Sequence, residues 1–226
     1  IQLDKNHFPI WNQLLLLYSE ENDFEKMYEK STEAISFFPT QPILFLYNGV
    51  ACFQKKKHDE GVSSLKQGAA ITVDNDALLT QFYMYLGDSY HALNDHSNSD
   101  DYYEKALKLD PENIYVLNNY AYYLSLRSEK LERAEKLSKK SNDLSPNTSN
   151  YEDTYAWILY QQKKYEESKG WLEKAIEHGG AGNGVILEHL GDVYFKMGMQ
   201  EKALEFWQKA KEKGGAADKL DQKIKE

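Results

Sequence analysis

A period of 34 residues constrains this chain more than its composition does. "YLGDSYHAL…YYEKALKLDPEN" at 85–113 returns as "HLGDVYFKM…FWQKAKEKGG" at 189–215, with Leu86-Gly87 matching Leu190-Gly191 and Ala106 matching Ala210. Carried outward, the register gives six units: 8–41, 42–75, 80–113, 114–148, 149–182 and 184–217. Four of them have 34 residues in strict register, one has 35, and the sixth, also of 34, follows a one-residue shift at Asn183. Residues 76–79 are an insert, expected to lengthen the first helix of the third unit by a turn. A segment this short cannot bury its own apolar face, so neighbouring segments must stack to complete a core.

Positions within the unit, counted from its first residue, show how it is built. Place 8 reads Leu15, Gly49, Gly87, Ala121, Ala156, Gly191, and place 27 reads Ala34, Gly68, Ala106, Ser141, Ala175, Ala210. Small residues at fixed points let two helices approach closely. Place 32 is mostly Pro or Gly (Pro39, Pro111, Pro146, Gly180, Gly215), where a helix must end. Between these marks the apolar residues recur at spacings of three and four, as amphipathic helices require. Each unit therefore reads as helix, turn, helix, stop.

This pattern resembles the tetratricopeptide repeat family and is most similar to its bacterial members through "NNYAYYLSL…DTYAWILY…VILEHLGDVYFKMG". The resemblance implies an all-α fold: an α-solenoid wound as a right-handed superhelix of six helix-turn-helix units, with residues 218–226 as a C-terminal cap. "LDKNH" at 3–7 matches the repeat tail "LDPEN" at 109–113, so residues 1–7 read as the tail of a preceding repeat in a longer protein. The N-terminal face, with Ile10, Leu14 and Leu17, is then expected to drive self-association. Glu152, Asn48, Ser31 and Ser138 depart from the apolar pattern, and their units are expected to pack less tightly.

The resemblance also implies a concave groove lined by the first helices. Its candidate contact residues are Tyr47, Met84, Tyr85, Asp88, His91, Tyr115, Asn118, Asn119, Tyr122, Asp153, Thr154, Trp157, Tyr160, Glu188, His189 and Asp192. Aromatic anchors amid carboxylates suit a protein or peptide segment carrying apolar and basic residues. Relatives that clamp a terminal carboxylate use lysines and asparagines at set places, and no unit here supplies the first lysine. The expected function is a non-catalytic protein-interaction scaffold. The alternatives are an assembly module acting through end-to-end or convex-face contacts, and the accessory domain of a larger protein.

Composition narrows the partners. A net charge of −9 disfavours nucleic acid, which needs clustered Lys and Arg. No apolar run is long enough to insert in a membrane. The one cysteine, Cys52, excludes an intrachain disulfide framework without fixing the compartment. The resemblance inclines toward a periplasmic or outer-membrane-anchored protein, with the cytoplasm left open. "GGAGNG" at 179–184 lacks the glycine spacing and the Lys-Ser or Lys-Thr of a phosphate loop, and reads as a flexible joint. The six histidines form no helical metal pair, and no acid–base pair stands out, so no cofactor, metal or catalytic residue is expected.

Overall fold

The computed structural model describes residues 6–215 and 217–224. Among them the regular structure is helical. The chain divides into two compact units, one up to Pro111 and one from Glu112 onward.

The first unit holds α1 (Phe8–Glu20), α2 (Phe24–Phe37), α3 (Pro42–Gln54), α4 (His58–Ile71), α5 (Asp76–Ala92) and α6 (His96–Leu109). The second holds α7 (Ile114–Leu126), α8 (Leu131–Leu144), α9 (Ser149–Gln161), α10 (Tyr165–Glu177), α11 (Gly184–Lys196), α12 (Gln200–Glu212) and α13 (Ala217–Lys223), with a 3-10 turn at Gly180–Gly182. Within each unit consecutive helices pack as antiparallel hairpins, and the first helices also touch one another: α1 with α3 and α3 with α5, then α7 with α9 and α9 with α11. The fold is an all-α solenoid of helix hairpins. None of the described helices is long and apolar enough to cross a membrane. Helix α5 has 17 residues where α3 and α7 have 13, which is the extra turn expected from the insert.

The hairpin turn is one device used six times. Asn22, Lys56, Asn94, Ser128, Lys163 and Gly198 all occupy the left-handed region, and each is the fifteenth residue of its unit. The next residue's N–H reaches back to the carbonyl five residues earlier, as in Asp95 to Tyr90 and Met199 to Tyr194, both 2.9 Å. That bond closes the first helix in a Schellman-type stop. The unit with 35 residues places its extra residue in this turn, where Lys130 is left-handed as well.

The small residues at place 8 set how closely the two helices of a hairpin approach. A Cβ on Gly87 would press into the Tyr103 ring, and one on Gly191 would overlap the indole of Trp207. The large partner is thus seated on bare backbone. Around these contacts lie continuous cores. One is built on Phe45, Leu65, Phe82 and Leu86, and another on Leu172, Ile186, Leu190, Val193 and Trp207.

The polar departures are seated rather than loose. Asn48 donates to Ser31 Oγ at 3.0 Å and to Thr32 Oγ1 at 2.9 Å, so two departures in adjacent repeats pair with each other. Glu152 is 3% exposed and holds His178 Nδ1 through both carboxylate oxygens, at 2.8 and 2.9 Å. Ser138 is the exception: its buried hydroxyl has no partner among the described residues. The glycine-rich stretch forms an ordered 3-10 turn, and Asn183 then caps α11 by accepting from Val185 N–H at 2.9 Å. On α1, Ile10, Leu16 and Leu17 are exposed, while Leu14 is half-buried.

Candidate functional site

The candidate residues fall on the first helices of both units, and the two sets differ. In the first unit Tyr47, Met84, Tyr85 and His91 are half-buried. Asp88 is 6% exposed and accepts a short hydrogen bond from Tyr103 Oη, so this carboxylate serves the hairpin interior. His91 lies against His96, the rings tilted by 39° with their centres 5.6 Å apart. What this unit presents to solvent along its stripe is mainly ring and thioether.

In the second unit α7, α9 and α11 bring the remaining residues side by side. Trp157 lies between two rings, parallel to Tyr160 at 4.6 Å and to His189 at 4.0 Å. His189 is 7% exposed, and its Nδ1 lies 2.8 Å from Asp153 Oδ1 on α9. Burial lowers the His189 pKa, but the charge and hydrogen bond of Asp153 outweigh it and leave it above the ordinary histidine value. Burial likewise raises the Tyr160 hydroxyl to about 12, with Asp192 adding to it. It also raises Tyr122, which further feels Asp153 and Glu188. Tyr122 on α7 therefore shares one electrostatic neighbourhood with α9 and α11.

Two polar atoms on this stripe lack partners among the described residues: the Oδ1 of buried Asn118 and the indole Nε1 of Trp157. A buried acceptor and a buried donor left unpaired each cost free energy until something meets them. Thr154 is buried and donates to the Asn150 carbonyl at 3.1 Å. Asn119 is half-buried, and Tyr115 stands 67% exposed at the start of α7.

The acidic end of the stripe holds a residue that the groove pattern did not include. Lys223 on α13 places its ammonium 2.7 Å from Glu188 Oε1 and 2.7 and 2.8 Å from the two oxygens of Asp192. Asp192 Oδ1 also accepts from Trp207 Nε1 at 2.9 Å. Burial lowers the Lys223 pKa, yet the hydrogen bonds to Asp192 and Glu188 win and hold it above the ordinary lysine value. The only signal for this in sequence was a charged, helical tail, which does not say which carboxylates it reaches.

Among the described residues no group of three or more His, Cys, Asp or Glu is placed to hold a metal ion. Cys52 is buried, and burial pushes its thiol up to about 11, which keeps it a thiol at neutral pH.

Stacked hairpins of this length, with neighbouring first helices in contact within each unit, define a helical-repeat protein. Tetratricopeptide repeat models match residues 80–113, 102–136 and 187–213, and the chain is a tetratricopeptide-repeat protein. It is similar to a chain of the APC/C hetero-tetramer Cut9-Hcn1 (12% identity, TM-score 0.83), covering 95% of this chain and 41% of that one. It is also similar to pilF of Pseudomonas aeruginosa (19% identity, TM-score 0.68), covering 80% of this chain and 79% of that one. A third likeness is to YrrB, described as a TPR protein with an unusual peptide-binding site (18% identity, TM-score 0.62), covering 87% and 98%. At these identities the likeness is one of fold. No curated protein matches the chain in sequence. The repeats make the chain a protein-interaction scaffold, of a kind that is generally non-catalytic.

Proposed function

We propose that the first-helix stripe of the second unit, on α7, α9 and α11, is the surface that takes a segment of a partner protein. The observation that carries this reading is the combination of a half-buried aromatic stack with unpaired buried polar atoms and carboxylates on one face. Trp157, Tyr160 and Tyr122 supply rigid apolar area, the residue type that anchors interfaces. Asn118 Oδ1, an acceptor, and Trp157 Nε1, a donor, are buried and unpaired, and a peptide main chain would meet them on a side-chain movement that uncovers them. Asp153, Glu188 and Asp192 favour basic side chains and would repel a carboxylate terminus. The peptide-binding site named for the similar YrrB supports a peptide as the ligand class.

A second reading, self-association through α1, is favoured by the exposed Ile10, Leu16 and Leu17. One experiment separates the two readings. Affinity capture is run with the wild-type chain, Tyr122→Ala/Trp157→Ala, and Leu16→Glu/Leu17→Glu. The groove reading expects capture to fall at least tenfold in the aromatic double variant, since each anchor contributes on the order of 2 kcal/mol at a hot spot. It expects little change in the α1 variant. The reverse pattern would move the contact to α1.

A further inference from the structure

We propose that the C-terminal helix holds a lysine in the acidic end of the groove as an internal stand-in for a lysine of the partner, so that α13 competes with the partner for Glu188 and Asp192. The inference rests on the groove of the second unit being the recognition surface, and it names the side chain recognised there. Glu188 and Asp192 stand one helical turn apart on α11, with side chains only 15% and 13% exposed. Two carboxylates so close and so shielded repel each other unless a cation joins them. The cation present is an ammonium with three contacts of 2.7–2.8 Å, seated 5.9 Å from the Trp207 ring centre. The site is thus shaped for a compact, point-like charge, which is lysine's geometry more than arginine's planar fork.

The hold on α13 is slight. The helix has 7 residues, well short of the length at which a helix is stable on its own. Leu220 anchors it in the core beside Trp207, half-buried Ile224 packs on the same core just past its end, and Asp221 pairs with Lys211 across an exposed surface at 2.6 Å. Pairs of that kind contribute little. A segment this short, held by two apolar side chains and a half-buried ammonium, can be displaced by a ligand that supplies the same ammonium along with further contacts. Those further contacts are available on the half-buried rings of Tyr122, Trp157 and Tyr160, which Lys223 does not use.

The test is a tryptophan-fluorescence titration of the full chain with hexalysine at physiological salt. Lys223→Gln should bind about tenfold more tightly than wild type if α13 occupies the subsite nine-tenths of the time. Leu220→Ala, which loosens the helix but keeps its lysine, should shift affinity in the same direction by less. The gain should vanish when Lys223→Gln is combined with Glu188→Gln/Asp192→Asn. Equal affinity in wild type, Lys223→Gln and Leu220→Ala would overturn the proposal, as would a gain that survives removal of both carboxylates. If Tyr122→Ala/Trp157→Ala loses the partner while Lys223→Gln leaves hexalysine binding unchanged, the competition is wrong and the groove stands. If partner capture ignores the aromatic pair, both fail.

Discussion

The two units share one hairpin design and differ in what their first helices carry between the cores. In the first unit Asp88 turns inward to Tyr103, and the stripe is left with Tyr47, Met84 and Tyr85. In the second, Asp153 turns sideways to His189 on the next first helix, while Glu188 and Asp192 stay on the stripe with Lys223. The carboxylate at place 9 accepts from an aromatic residue of its own hairpin in both units, Asp88 from Tyr103 and Asp192 from Trp207; the second unit differs in that Asp192 also meets Lys223 and Asp153 links two first helices. Unit geometry sets where a side chain points. The residues at places 5 and 6 decide whether neighbouring first helices are tied together, as Asp153 and His189 tie α9 to α11.

The largest expected effect comes from breaking the link between α9 and α11. His189→Phe keeps a ring against Trp157 but leaves Asp153 buried and unpaired, which should cost about 3–5 kcal/mol. Thermal unfolding would measure it, and Asp153→Asn/His189→Phe should recover part of the loss. The pair also sets a pH dependence. The folded-state pKa of His189 is raised, so its stabilisation is complete below the ordinary histidine value and fades as pH rises through the elevated one. Denaturant midpoints taken from pH 6 to 9 should show that decline in wild type, and the double variant should lack it.

Next in size is the close approach of hairpin helices, which both units use. Gly191→Leu and Gly87→Leu should each cost about 1–3 kcal/mol by overpacking, against Trp207 and Tyr103 respectively. The variants differ in readout. Gly191→Leu displaces the indole that bonds Asp192, so it alone should change tryptophan emission and weaken hexalysine binding in the Lys223→Gln background.

The smallest effect should be equal in the two units. Lys56 and Lys163 sit left-handed in their turns at φ of 59° and 64°. Replacing either with glycine relieves that strain at some cost in unfolded-chain entropy, for a net gain of under about 1 kcal/mol. A gain in one unit only would show that the turns are not equivalent.

Most of the fold was legible because packing repeats in the sequence. Gly87 and Gly191, the stops at Pro111 and Gly215, and the insert at 76–79 all mark geometry that local residue type dictates. The turn device was harder to read, since Asn22, Lys56, Ser128 and Gly198 share a backbone conformation but no side-chain chemistry. The candidate site was legible as a stripe and not as a network. Places 5 and 6 put Asp153 and His189 on it, but their pairing depends on how α9 and α11 lie together. Asn48 with Ser31 follows the same logic: each reads as a defect alone, and the contact between repeats makes them partners. Lys223 was hidden for a further reason. A short terminal helix has no repeat register, so only its docking, through Leu220 and Ile224, determines that its lysine meets Glu188 and Asp192.

The central claim is that recognition belongs to the second unit's stripe. The direct test is quantitative partner capture by three full chains: wild type, Tyr122→Ala/Trp157→Ala in the second unit, and Tyr47→Ala/Tyr85→Ala in the first. The account predicts at least a tenfold loss for the second-unit pair, with helicity retained, and less than a threefold change for the first-unit pair. Equal losses in the two, or a loss confined to the first-unit pair, would contradict it.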